Sequence, residues 1–183
     1  PWLFHAVNIL LYAATCVMLL LFLRQMVPHG GALLGALLFA AHPVHVEAVA
    51  NVVGQSELLV AVLLLGSLAL YAHDRRIGRV RPRTAALMLA GFVLGLFTKE
   101  HAIVLPALLI GVEWTGRRVR FAEHEKAWQD LRMLVMLLTL IALLYLAWRA
   151  EVLGEITGDR PHWAVYNRTM LERAAIMIAL VPE

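Results

Sequence analysis

Long runs of apolar residues constrain this 183-residue chain more than any other feature. A helix needs about 20 apolar residues to cross the roughly 30 Å hydrocarbon core of a bilayer. Hydrophobic residues make up 61% of the chain and charged residues 16%, whereas soluble domains are about 45–50% apolar and about 25% charged. A globule of this size could not bury so much apolar surface. The sequence therefore predicts an all-α, polytopic transmembrane helix bundle and excludes a disordered chain, a disulfide scaffold and a typical soluble enzyme.

Six apolar runs are candidate spans, and a seventh begins near the end of the chain. The six cover residues 2–23, 31–50, 57–72, 84–97, 102–114 and 131–148, and the seventh starts at 174–181. The fourth and fifth runs are shorter than a full crossing requires. We therefore expect the turn between them, residues 98–101, to lie near an interface and to be sheltered from lipid by the protein.

The basic residues alternate between the predicted loops, as the positive-inside rule requires of a polytopic protein. Eleven of the 16 Lys and Arg residues lie in or beside the loops at 24–30, 73–83 and 115–130. These loops are predicted to be cytoplasmic, which places the loops at 42–56, 98–101 and 149–173 on the extracytoplasmic side. This distribution explains the net charge of +3 without nucleic acid as a partner. The sequence predicts a multi-pass integral protein of the bacterial inner membrane or an equivalent bilayer.

Two clusters of polar side chains interrupt the apolar runs. His42, His45 and Glu47 fall inside the second run, and Lys99 and Glu100 lie in the turn between the fourth and fifth runs. Polar groups at membrane depth are costly and need a partner or a function. Because both clusters belong to extracytoplasmic loops, we expect them to border one shared cavity.

Pro43 stands between the two histidines. Proline lacks a backbone N–H and clashes with the preceding turn of a helix. We therefore expect the second helix to break or kink at residues 41–42, so that His42 and His45 point into the cavity.

The cations of the two clusters suit an anionic ligand. An ammonium at Lys99, together with the imidazoles of His42 and His45, would supply two or three donors to a phosphate whose lipid tail stays in the bilayer. Such a set fits a polyprenyl-phosphate leaving group. Two structural alternatives remain open: the imidazoles could bond neighbouring helices, and Lys99 could form an internal ion pair or extend to the membrane surface.

The nearby carboxylates offer further chemistry. Glu47, Glu57 and Glu100 are available as a base that takes a proton from an attacking hydroxyl, and the sequence does not distinguish between them. Glu47 and Glu100 could equally act as partners of the cations. Two histidines at i and i+3 with one carboxylate could also hold a divalent metal, but this pattern is common by chance, and we assign no metal and no certain cofactor.

Three segments carry a resemblance to a known family. Residues 4–12 (FHAVNILLY) resemble a helix start of the type FHLVNVLLH, residues 40–49 (AAHPVHVEAV) resemble ALHPVHTEAV, and residues 98–100 (TKE) resemble SKE. Together they resemble the membrane domain of the transmembrane and tetratricopeptide-repeat (TMTC-like) proteins, glycosyltransferases of the GT-C superfold. The order and spacing of the three segments agree with that family.

The resemblance implies an enzyme that transfers a sugar such as mannose from a polyprenyl-phosphate carrier to protein Ser or Thr hydroxyls on the extracytoplasmic side. Its partners would be the bilayer, the lipid-linked sugar donor and a protein acceptor. Residues 1–183 would be one transmembrane domain fragment, without the upstream loop that usually carries the acidic catalytic motif and without the downstream tetratricopeptide repeats. Two alternatives are a non-catalytic membrane scaffold for such repeats and a transporter or flippase-like helix bundle.

Overall fold

The computed structural model describes residues 2–51, 54–119, 121 and 125–153. In these ranges the chain forms seven α-helices and two short 3₁₀ helices. The α-helices are α1 (Trp2–Met26), α2 (His29–Ala41), α3 (Val46–Ala50), α4 (Gly54–Ile77), α5 (Pro82–Thr98), α6 (Leu105–Val119) and α7 (Glu125–Leu153). The 3₁₀ helices, Pro43–His45 and Glu100–Val104, lead into α3 and α6. The predicted all-α, membrane-type bundle is confirmed.

Three of these helices, α1, α4 and α7, are long and apolar enough to cross a membrane by length and composition. α2 and the segment 43–50 pass the same test together and would make a fourth crossing. α5 is apolar but has only 17 residues, in keeping with the short fourth run of the sequence. Six crossings therefore stay a prediction, and the predicted start of a seventh at 174–181 lies outside the described residues.

The predicted break of the second helix at Pro43 is confirmed. α2 ends at Ala41, and His42 adopts an extended backbone with φ −73° and ψ 126°. Pro43 then begins the 3₁₀ helix, and the segment that follows is bent by 51° from α2. Because proline cannot donate to the preceding turn, the helix axis changes direction here.

Two loops predicted to be cytoplasmic are partly helical instead. α4 continues to Ile77 and α6 continues to Val119, so both helices extend into the regions assigned to the loops at 73–83 and 115–130. Sequence reasoning ended the spans where charged residues began. The structure shows that Arg75 belongs to the last turns of α4 and is fully buried.

α4 is the central helix of the bundle. It packs against α1 and α5 and also contacts α3 and α6, while α1 contacts α2 as well. The buried core brings together side chains of α4, α5, α6 and α7, including Tyr71, Phe92, Leu105, Leu109 and Leu138. Many large apolar side chains elsewhere on the helices are exposed, as expected of surfaces that face lipid. The contacts divide the chain into two units, Pro1–Tyr145 and Leu146–Glu183, and the described part of the second is the end of α7.

Candidate functional site

Two polar side chains of α1 hold the broken helix in place. The amide nitrogen of Asn8 donates to the carbonyl oxygens of Val49, at 3.0 Å, and Asn51, at 2.9 Å. The hydroxyl of Tyr12 lies 3.0 Å from the carbonyl oxygen of Ala40, to which it donates. These groups satisfy carbonyls that α2 and α3 leave without helical partners at their ends. Residues 4–12 and 40–49, two segments of the family resemblance, therefore contact each other directly.

We expect Asn8→Leu to destabilise the full-length protein by about 2 kcal/mol, because Asn8 is fully buried and each of its two hydrogen bonds contributes about 1 kcal/mol. The free energy of unfolding in detergent measures the change. Thr15→Val is the matched control, since among the described residues the buried Thr15 hydroxyl bonds within its own helix, to Leu11. Equal losses in the two variants would show that Asn8 does not hold α3.

His42 and His45 lie on either side of Pro43 and have different surroundings. The Nδ1 atom of His42 accepts a hydrogen bond from the backbone N–H of Val44 at 3.2 Å, which leaves Nε2 available to a ligand. The ring of His45 packs against Phe39, with the ring centroids 4.2 Å apart, and lies 5.5 Å from the ring of Tyr12. The two imidazole rings are 6.0 Å apart. The break in the helix therefore places both histidines at one end of the bundle.

Both histidines line a cavity of about 490 Å³, which we call the histidine cavity. His5 and Tyr12 of α1 also line it, and the remaining walls are apolar side chains of α1, α2 and α3. From the sequence, His5 was interpreted as a polar residue at the membrane interface and not as a ligand. Three imidazoles in an apolar cavity suit an amphipathic ligand with an anionic group.

Lys99 forms an ion pair with a carboxylate of another helix. Its Nζ atom donates to Oε1 of Glu57, in the first turn of α4, and Nδ1 of His101 lies 3.5 Å from Oε2 of the same carboxylate. The Lys99 side chain is 25% exposed and that of Glu57 is 45% exposed. The Lys99 backbone N–H donates to Gly95 at the end of α5. The internal ion pair left open by the sequence is thus present, and its acid is Glu57.

Glu57 also borders a second, smaller cavity of about 320 Å³, which we call the carboxylate cavity. Glu47 and Asn51 line it as well. The junction between α3 and α4 is tight here: a Cβ atom added to Gly54 would lie 2.7 Å from the carbonyl carbon of Ala48 and would overlap its oxygen. Glycine at this position therefore lets the two carboxylates approach the same cavity.

The structure brings only some of the predicted site residues together. Both clusters lie at the same end of the bundle, as expected, because Lys99 contacts the first turn of α4. The two clusters do not line one shared cavity among the cavities described here. His42 and His45 line the histidine cavity, whereas Glu47 lines the carboxylate cavity and Lys99 lines neither.

Glu47 also differs from the sequence-based interpretation. Within the described ranges Glu47 forms no ion pair, so it does not orient the cations as a salt-bridge partner. Glu100 is exposed and begins the 3₁₀ helix before α6. Among the residues that the structure describes, no group of three or more His, Cys, Asp or Glu side chains could hold a metal ion.

Sequence reasoning missed a buried charge network at the opposite end of α4. Arg75 Nε donates to Glu113 Oε2 at 2.8 Å and Arg75 Nη2 to Oε1 at 2.6 Å. The Tyr71 hydroxyl donates to Oε2 at 2.7 Å, and Arg117 Nε donates to Oε1 at 3.0 Å. Glu113 thus accepts four hydrogen bonds from α4 and α6. A carboxylate inside an apolar run, four residues before an arginine, was the available signal.

A further ion pair fixes the turn between α4 and α5. Asp74, also buried, accepts hydrogen bonds from the backbone N–H and the Nε of Arg81 at 2.8 and 2.9 Å. Hydrogen bonding to this carboxylate raises the pKa of the Arg81 guanidinium above its ordinary value. The turn includes Gly78, whose φ of +122° is a backbone conformation that other residues rarely adopt.

These features define an apolar, all-α bundle of the membrane type with a polar site at one end. Comparison with known proteins gives relatives with a consistent name. Protein O-mannosyl-transferase TMTC1 of Mus musculus is 36% identical over 117 residues, which is 57% of this chain and 12% of that protein. Protein O-mannosyl-transferase Tmtc2 of Drosophila melanogaster is 40% identical over 115 residues, covering 60% of this chain and 12% of the relative. Protein O-mannosyl-transferase Tmtc3 of Drosophila melanogaster is 30% identical over 139 residues, covering 62% of this chain and 15% of the relative.

The resemblance seen in the sequence is therefore confirmed: the chain is similar to TMTC proteins over about 60% of its length. It spans about an eighth of the length of these curated relatives. No family model matches the chain, and no solved structure matches it.

Proposed function

We propose that the full-length protein is a membrane glycosyltransferase and that this chain is part of its membrane domain. The relatives are named protein O-mannosyl-transferases. The observation that carries the proposal is the convergence of the segments of the family resemblance at one end of the bundle. Asn8 and Tyr12 contact the segment around Pro43, and Lys99 reaches Glu57 beside it.

The proposed donor is a sugar linked to a polyprenyl phosphate. The apolar walls of the histidine cavity suit the lipid part of such a donor, and the imidazoles of His42 and His45 suit its phosphate. The free Nε2 of His42 can donate a hydrogen bond to a phosphate oxygen. Lys99 would act from the other side of α3, with Glu57 holding its ammonium until the donor binds.

The proposed reaction moves the sugar to a protein Ser or Thr hydroxyl. The hydroxyl oxygen attacks the anomeric carbon, and the bond between that carbon and the phosphate oxygen breaks. A carboxylate takes the hydroxyl proton, and the cations stabilise the negative charge that develops on the leaving phosphate. Glu47 and Glu100 are the candidate bases, and the carboxylate cavity gives Glu47 open space next to the site.

The alternation of basic loops supports an extracytoplasmic location for this site. The protein acceptor would approach from that side, while the donor lipid would stay in the bilayer. No divalent metal is assigned to the reaction.

The test is transfer of mannose from a polyprenyl-phosphate carrier to an acceptor protein by the full-length enzyme in membranes. We expect His42→Ala to lower the transfer rate about 100-fold or more, because a donor to the leaving phosphate is lost. Membrane insertion should be unchanged, since the His42 side chain is exposed.

His73→Ala is the matched control, because His73 is an exposed histidine near the other end of α4. It should leave the transfer rate unchanged. Normal transfer by a correctly inserted His42→Ala variant would refute the role of the histidine cavity. A full-length protein with no transfer to any hydroxyl acceptor would favour the non-catalytic scaffold.

A further inference from the structure

A cavity of about 500 Å³ lies between the N-terminal halves of α5 and α7, far along the bundle from the histidine cavity. We call it the α5–α7 groove. Its walls are mainly apolar and include Leu89, Met133 and Leu137, and its edge carries Arg79 and Lys126. The groove therefore has an apolar body and a basic edge, and the proposed transfer reaction uses neither.

The two cations at the edge are available to a ligand. Among the residues that the structure describes, neither Arg79 nor Lys126 has a hydrogen-bond or ion-pair partner, and both are exposed. One carboxylate, Asp130, also lines the groove, but its Oδ2 atom accepts a hydrogen bond from the backbone N–H of Val80 at 3.1 Å. Two cations against one carboxylate give the described lining of the groove a net positive charge.

The apolar wall begins at this edge and extends along the helices. Leu137 follows Lys126 by eleven positions in α7, which is about 16 Å at the helical rise of 1.5 Å per residue. One leaflet contributes about half of the 30 Å hydrocarbon core, or about 15 Å. Met133 is 55% exposed and Leu137 is 39% exposed. Apolar side chains so exposed in a membrane-type helix are suited to contact with lipid chains.

We propose that the α5–α7 groove binds one anionic phospholipid of the bilayer. Its phosphate lies between Arg79 and Lys126, and one acyl chain lies along Leu89, Met133 and Leu137. Attraction between the phosphate and the two cations favours an anionic over a zwitterionic lipid. The basic loops predict that this end of the bundle is cytoplasmic, so the lipid belongs to the inner leaflet. The site is independent of the proposed sugar transfer.

The experiment measures lipid retained by the full-length protein, using native mass spectrometry and thermal stability in detergent. The probes are phosphatidylglycerol, phosphatidylcholine and inorganic phosphate. We expect phosphatidylglycerol to bind at least tenfold more tightly than phosphatidylcholine. The double variant Arg79→Gln with Lys126→Gln should remove this preference.

Arg83→Gln with Arg132→Gln is the matched control. These two arginines are exposed, belong to α5 and α7, and do not line the groove. The control should retain phosphatidylglycerol like the unaltered protein. Met133→Trp should weaken binding without a change of charge, because the larger ring occupies the groove.

Three outcomes would overturn the proposal. The first is equal retention of phosphatidylglycerol by the unaltered protein and by the double variant at the groove edge. The second is equal protection by inorganic phosphate alone, which would indicate an anion site without a lipid. The third is a lipid-independent dimer that Met133→Trp dissociates, because the groove would then be covered by a second copy of the chain.

Discussion

Replacement of Glu113 by glutamine is expected to destabilise the full-length protein by about 3–5 kcal/mol. Glu113 is 1% exposed and neutralises Arg75, which is fully buried and donates to it twice. Removing one partner of a buried ion pair leaves the other charge uncompensated in a medium of low dielectric constant. Glutamine keeps one oxygen acceptor, so two of the four hydrogen bonds to this side chain are lost as well. The free energy of unfolding in detergent is the measurement.

The matched control is Glu47→Gln, which changes a carboxylate that is exposed and forms no ion pair within the described residues. It should alter the free energy of unfolding by less than about 0.5 kcal/mol. A double variant, Arg75→Met with Glu113→Leu, should recover much of the lost stability, because removing both charges leaves no buried ion without a partner. A loss of under about 1 kcal/mol in Glu113→Gln would show that Arg75 reaches water.

The network at Glu113 shows why the sequence misplaced several charges. From the sequence, Arg75 was placed in the predicted cytoplasmic loop 73–83, because clustered arginines beside an apolar run are typical of such loops. Its partner Glu113 lies 38 residues away and was counted within the fifth run. Local patterns cannot show which side of α4 faces α6. The rotation of α4 about its own axis decides whether Arg75 is solvated or buried.

The bend at Pro43 was predictable because its cause is local. Proline removes one backbone donor, and the helix axis changes at the adjacent residue. The polar contacts of Asn8 and Tyr12 with this segment were not predictable in the same way. Each joins residues more than 25 positions apart, so they depend on how α1 packs beside α2 and α3.

His42 and Lys99 lie at one end of the bundle, as the sequence predicts, but they do not line the same one of the two cavities described there. The alternation of basic and non-basic loops predicts that His42 and Lys99 lie on one side of the membrane. This prediction needs only the number of crossings between the two residues. Whether two groups share a cavity depends on the direction of α3 after the 51° bend. That bend places the histidines in one cavity and Glu47 in the other.

Removing the cation of the Lys99–Glu57 ion pair is expected to have a large effect on the rate of sugar transfer. We expect Lys99→Gln to lower the rate of sugar transfer about 100-fold, because the ammonium stabilises the charge on the leaving phosphate. The effect on stability should be below about 1 kcal/mol, since the pair is partly exposed. Steady-state transfer and thermal unfolding of the same preparation separate the two effects.

A charge reversal distinguishes a role in transfer from a structural role. The double variant Lys99→Glu with Glu57→Lys keeps opposite charges at the two positions but moves the cation to α4. If the pair only holds α4 against the turn after α5, this variant should recover both stability and transfer. If Lys99 contacts the donor phosphate, stability should recover while transfer stays low, because the cation no longer lies where the phosphate binds. His101→Ala removes the other contact of Glu57 and should leave transfer within about twofold, since His101 is 62% exposed and its contact is long. Recovery of transfer in the reversed pair would therefore assign Lys99 to the fold and leave the donor phosphate to the histidines.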